Sequence, residues 1–145
     1  MTLPQQVSPA PDSDPVPTNP FFPVAPGSLI CEETAVFDAA GVQGQIDAAA
    51  ETAADNAALR AETVRILREA QKTGRDAIAR GFADQPFAAR PLTRSYTFLT
   101  DGLVMTALKV ASTRLHPRPN PTAAEHIAVI AVGGYGRGEM APFSD

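Results

Sequence analysis

The chain is short of cysteine, of early positive charge and of long apolar runs. Cys31 is its only cysteine, so no internal disulfide can form, as is usual in a reducing compartment. No histidine lies near it in sequence, so Cys31 is read as a small apolar residue and not as a nucleophile. No Lys or Arg occurs before Arg60. The apolar runs extend for only a few residues, far below a membrane span. Without a basic n-region or a sustained apolar stretch at the start, no signal peptide is expected, and the expected compartment is the cytoplasm with no membrane partner. There is also no internal repeat and no heptad run long enough for a coiled coil.

The net charge is −4 and the pI about 5.1 over 145 residues. That balance excludes non-specific nucleic-acid binding, which needs a clustered positive face. The acidic excess belongs to the first part of the chain, and the part that leads to its end is mildly basic. That suits a polyanionic small molecule, and it also suits an ordinary solvated helix face.

Residues 1–27 carry Pro4, Pro9, Pro11, Pro15, Pro17, Pro20, Pro23 and Pro26 among Ser, Asp and Gln. Such a segment supports neither a hydrogen-bonded helix nor a central strand, and it is expected to be a disordered tail. Residues 28–42 are transitional, with a turn expected at Asp38-Ala39-Ala40-Gly41. From about Gln43 the composition turns to good helix formers, and Ile46, Ala50, Ala53, Ala57, Val64, Leu67, Ala70, Ala77 and Ile78 recur at helical spacing. One helix is expected over about 43–81, with Gly74 as a weak point and Gly81 as its stop. Arg65 with Glu69, Lys72 with Asp76 and Asp76 with Arg80 have the spacing of solvated ion pairs.

A second helix is expected over about 92–115, capped by Thr93 and buried along Tyr96, Leu99, Leu103, Ala107, Val110 and Leu115. Gly102 marks close helix packing. Asp101 interrupts this apolar element; it is read as solvent-facing, with a polar contact to the site as the alternative. His116-Pro117-Arg118-Pro119-Asn120-Pro121 ends the helix, and a short helical turn is expected in 122–125.

The run Ile127 to Val132 is short, apolar and mostly β-branched, and it predicts a buried strand. It enters Gly133-Gly134-Tyr135-Gly136-Arg137-Gly138, a turn whose backbone N–H groups can approach an anion because no Cβ intervenes. A dinucleotide fingerprint half-matches, but its third glycine is one residue off and Pro142 stands where a helix should follow. A Walker loop fails for want of a Lys-Ser/Thr pair.

The stretch Val132-Gly133-Gly134-Tyr135-Gly136-Arg137-Gly138-Glu139-Met140-Ala141-Pro142-Phe143-Ser144-Asp145 resembles the nucleotidyltransferase motif of the uridylyltransferase/uridylyl-removing enzymes of PII signalling proteins. These belong to the polymerase-β-like nucleotidyltransferases. The tight match covers only these last residues. The resemblance implies UMP transfer from UTP to a tyrosine of PII with Mg²⁺, and removal of the UMP by an HD domain. It also implies ACT domains that sense glutamine as effector. By the same resemblance Gly133, Gly134, Arg137 and Ser144 bind nucleotide, and Asp145 is the catalytic metal carboxylate. The second Asp of the motif, expected two residues after Asp145, is not in this sequence, so a truncated and inactive N-terminal piece of a longer enzyme is expected. The fold class implied is α/β (α+β). Residues 1–27 form the tail, 28–125 a helical region, and 126–145 the start of the nucleotidyltransferase domain with the first strand of its sheet. The alternatives are another nucleotidyltransferase of the superfamily and a non-catalytic helical interaction module.

Overall fold

A computed structural model describes residues 29–117 and 127–142. The proline-rich segment 1–27, the short helical turn expected in 122–125, Ser144 and Asp145 lie outside the described residues. The elements in order are α1 (Glu33–Val36), α2 (Ala39–Thr52), α3 (Asn56–Asp84), α4 (Ala89–Val110) with a π-helical continuation (Ala111–Leu115), and the single turn α5 (Gly133–Gly136).

The helix expected over 43–81 is two helices. Asp38 caps the first, its Oδ1 accepting from the Gly41 N–H at 2.9 Å, so the expected turn at 38–41 is a helix start. The chain leaves the helical region at Ala53, and Asp55 caps the second helix by accepting from the Ala58 N–H at 2.7 Å. Aspartate is among the strongest N-cap residues because its side chain satisfies an otherwise orphaned amide. The break resets the helical phase. Val64, expected inside, is 41% exposed, and Leu59, Thr63, Ile66, Gly74, Ala77 and Ile78 form the buried stripe of α3 instead.

Gly81 does not stop α3, which runs on to Asp84. A Cβ at Gly81 would lie 3.1 Å from the Ile30 carbonyl oxygen, so this glycine admits the segment before α1. That segment is pinned from both sides. The Ile30 N–H donates to Ser95 Oγ of α4 at 2.9 Å, and Gln85 Nε2 of the α3 end donates to the Ile30 carbonyl at 3.4 Å. Helix α4 starts at Ala89 without a side-chain cap. Thr93, the expected cap, sits inside it and donates to the Arg90 carbonyl at 3.1 Å. The helix widens at its end, where the His116 N–H reaches the Ala111 carbonyl at 2.9 Å. Pro117 follows, and the residue before a proline is driven out of the helical region.

The core lies where α1, α2, α3 and α4 meet, and it is built from Ile30, Val36, Phe37, Val42, Ile46, Ile66, Ile78, Leu99 and Val110. Two glycines set its closest approaches. A Cβ at Gly74 would fall 2.2 Å from the Val36 carbonyl oxygen and 2.8 Å from Leu99 Cδ1, so Gly74 is a packing point and not a weak point. A Cβ at Gly102 would fall 2.3 Å from Phe37 Cδ1, which fits the close packing expected there. On the surface Lys72 meets Asp76 at 3.2 Å, while Arg65 turns back to Glu62 at 2.7 Å.

The expected α/β class does not hold for the described residues, which are helical and contain no strand. The run expected as a buried strand is open to solvent: Ile127 is 65% exposed, Val129 51%, Ile130 78% and Val132 73%. The reason is a missing neighbour. A strand satisfies its N–H and C=O groups only through another strand, and the described residues offer none. Among them no helix is long and apolar enough to cross a membrane.

Gly74 and Gly44 provide a matched test. A Cβ at Gly44 meets nothing within 4 Å, so Gly44→Ala should stabilise α2 by about 0.5–1 kcal/mol. Gly74→Ala should destabilise by about 1–3 kcal/mol through overpacking. Chemical denaturation of the two variants reads both signs, and a neutral Gly74→Ala would contradict the packing described.

Candidate functional site

The glycine turn does not float free of the helices. It sits on α4, and the residues that receive it are one helical turn apart. Thr97, Thr100 and Asp101 share a face by their three- and four-residue spacing. The Tyr135 hydroxyl donates to Asp101 Oδ1 at 2.6 Å. The Met140 N–H donates to Thr97 Oγ1 at 3.3 Å, and Thr100 Oγ1 lies 3.2 Å from Met140 Sδ. From α3, Arg75 Nη2 donates to the Pro142 carbonyl at 3.2 Å, while its guanidinium carbon stands 5.8 Å over the Tyr96 ring.

Asp101 is therefore not solvent-facing. Only 6% of it is exposed, and it makes the polar contact to the site that was the alternative expectation. Burial pushes its carboxyl up to about 6, against the pull of the Tyr135 hydroxyl in the other direction. Burial, and then the bond and charge of Asp101, push the Tyr135 phenol up, so the hydroxyl proton stays on the tyrosine at neutral pH.

Within the turn each glycine answers to a different constraint. Gly133 adopts φ +60° with nothing within 4 Å of a Cβ, which leaves its backbone open. Such a conformation is costly for any residue with a side chain. At Gly134 a Cβ would lie 3.0 Å from the Glu139 carbonyl oxygen, and at Gly136 one would lie 2.6 Å from that of Ala131. These two glycines let the turn fold onto itself, closed by the Glu139 N–H bonding to the Gly134 carbonyl at 2.9 Å. Arg137 Nε stands 3.8 Å from Glu139 Oε2, with both side chains in solvent.

The structure thus brings Gly133, Gly134 and Arg137 onto one small turn, while Ser144 and Asp145 lie outside the described residues. Thr97, Thr100 and Arg75 were missed by sequence reasoning. The signal for the two threonines was present: with Asp101 they form a polar notch in an apolar helix. Arg75 gave none, because its partner is a backbone carbonyl 67 residues away.

With this geometry in view, comparison with known proteins is decisive for kinship. The chain is 64% identical over 110 residues to a bifunctional uridylyltransferase/uridylyl-removing enzyme of Ruegeria pomeroyi, covering 76% of this chain and 12% of that protein. The chain belongs to this family. A bifunctional uridylyltransferase/uridylyl-removing enzyme of Cereibacter sphaeroides is 44% identical over 143 residues, covering 96% of this chain and 15% of that protein. One of Erythrobacter litoralis is 39% identical over 110 residues, 76% of this chain and 12% of that protein. The chain thus spans only about an eighth of the length of the relatives it matches. No family model matches the chain, and no solved structure does.

The described residues do not by themselves make a site for the Mg²⁺ that the resemblance implies. They hold no cluster of three His, Cys, Asp or Glu side chains. Of the acids at the turn, Asp101 is committed to Tyr135 and Glu139 lies beside Arg137.

The Asp101 carboxyl has a consequence for pH. Its folded value of about 6 exceeds the ordinary 3.8, so the folded protein holds this proton more tightly. The stabilisation is complete below about 3.8 and is lost as pH rises through about 6. Wild type should therefore lose stability across that window relative to Asp101→Asn. Thermal melts of both at several pH values measure the difference, and parallel pH profiles would refute it.

Proposed function

We propose that this chain is part of an enzyme that transfers UMP from UTP to a tyrosine of a PII signalling protein and, through domains beyond these residues, removes it again in response to glutamine. The observation that carries this reading is the 64% identity over 110 residues to a relative named for both activities. The narrow Gly133-Gly134-Tyr135-Gly136-Arg137-Gly138-Glu139 spelling supports the transferase half.

In this reading the acceptor tyrosine hydroxyl gives up its proton to solvent as its oxygen attacks the α-phosphorus of UTP. A new phosphorus–oxygen bond forms, the bond to the β-phosphate bridging oxygen breaks, and pyrophosphate leaves. The chain's part is to bind and orient the donor. Backbone N–H groups around Gly133, whose backbone is open, and Gly134 receive the triphosphate, and Arg137, held in solvent beside Glu139, swings to a phosphate as a fork of donors. Ser144 adds a nucleotide contact. Asp145 would be one of the carboxylates to hold Mg²⁺, and the ion when bound would supply charge stabilisation to the transfer. The remaining carboxylates come from outside these 145 residues, so the chain alone does not turn over UTP. The reading places the enzyme in the cytoplasm.

The test uses the full-length enzyme with PII and α-labelled UTP. Label should pass to PII in the wild type and be lost by at least about a hundredfold in Asp145→Asn, as when a group that stabilises transition-state charge is removed. The 145-residue chain alone should transfer none. Absence of label on PII with the intact enzyme would refute the reading.

A further inference from the structure

We propose that Asp101 is a positioning residue: through its bond to Tyr135 it registers the glycine turn Gly133–Gly138 against helix α4 and so sets the affinity for the nucleoside triphosphate. The proposal rests on the transferase reading above and adds a residue outside the glycine motif to it.

The first argument is the cost of the arrangement. An aspartate that is 6% exposed has given up most of its water, and a buried carboxylate is unfavourable unless its partners repay the loss. Among the described residues Asp101 has one side-chain partner, the neutral hydroxyl of Tyr135. An apolar residue would serve the helix better at this place, so stability does not account for the pair.

The second argument is where Asp101 stands. Its neighbour Gly102 lies directly beneath the Phe37 ring, and Leu99, two residues earlier, packs on Gly74. This part of α4 is packed closely against the core. A tether anchored there transmits little motion.

The third is the geometry of attachment. The turn is held at two places, by Asp101 at Tyr135 and by Thr97 and Arg75 at Met140 and Pro142. Gly133, with its open left-handed backbone, precedes Tyr135 in the chain, whereas the second attachment follows it. Without the Tyr135 bond, Gly133 is held only through the turn's own backbone, where the Arg137 N–H donates to the Gly133 carbonyl at 3.3 Å and the Glu139 N–H to the Gly134 carbonyl at 2.9 Å. Among the described residues the pair is thus the side-chain bond from the helical body that falls nearest in the chain to Gly133, and the Thr97 and Arg75 contacts act beyond the turn's closing bond.

The test compares full-length wild type with Tyr135→Phe, Asp101→Ala and Asp101→Asn. Two quantities are read, the KM for UTP in PII labelling and amide hydrogen exchange over residues 133–140. Tyr135→Phe and Asp101→Ala should raise the KM by about tenfold with kcat little changed, the loss expected when a hydrogen bond to a charged group is removed from a binding element. Both should speed exchange over 133–140. Asp101→Asn keeps an acceptor for the hydroxyl and should stay close to wild type in both. A merely structural role would instead lower the folded fraction and kcat together at constant KM, and that result would overturn the proposal. So would unchanged exchange in Tyr135→Phe. If wild-type enzyme labels nothing from UTP, the transferase reading falls on its own, and exchange over 133–140 still decides whether Asp101 holds the turn.

Discussion

Of the contacts that join the glycine turn to the helical body, the shortest is made by a buried carboxylate. Tyr135 belongs to the glycine turn and Asp101 to the helical body, and their 2.6 Å contact holds the one against the other. Everything upstream contributes to making Asp101 a firm anchor. The Asp38 and Asp55 caps set where α2 and α3 begin. Gly74 lets α3 close on α1 and α4, and Gly102 lets Phe37 lie flat on α4. Ser95 ties Ile30 to the same helix from the other end. The helical region is thus more than a leader to the turn: it is the surface on which the turn is set.

Energetics sharpen the point. The helical body gains stability by the usual means, a shared apolar core with buried threonine and serine hydroxyls returned to backbone carbonyls. Its surface ion pairs are exposed and contribute little. Among the described residues Asp101 alone runs against this pattern, being buried, ionisable and pushed toward its neutral form. Residues that break a local rule without a gain in packing tend to mark functional places, and this one touches the family's glycine turn.

Much of this was legible in the residues, and what was not has physical reasons. The glycine spelling from Gly133 to Gly138 pointed to the family without any structure, because several rare positions coincide there. Helix composition was legible as well, but not the break at 53–55. Alanine, threonine and aspartate on either side of it do not oppose a helix strongly, and only the Asp55 cap decides the matter. Gly74 and Gly81 looked like helix breakers, since a lone glycine carries no sign of what packs against it; both turned out to admit a neighbour. The buried strand expected over 127–132 was not found, because pairing is a property of two segments, and among the described residues the second is not there. The Asp101–Tyr135 contact spans 34 residues, and no local pattern encodes a pairing at that distance.

The central claim, that Asp101 and Tyr135 act as one unit, is tested most directly by a double-mutant cycle on stability with Asp101→Ala, Tyr135→Phe and the double variant. The account predicts a coupling of about 1–3 kcal/mol between the two sites, as for a hydrogen bond to a charged group in a shared buried site. Effects that add to within about 0.3–0.5 kcal/mol would show the residues to be independent, and would contradict it.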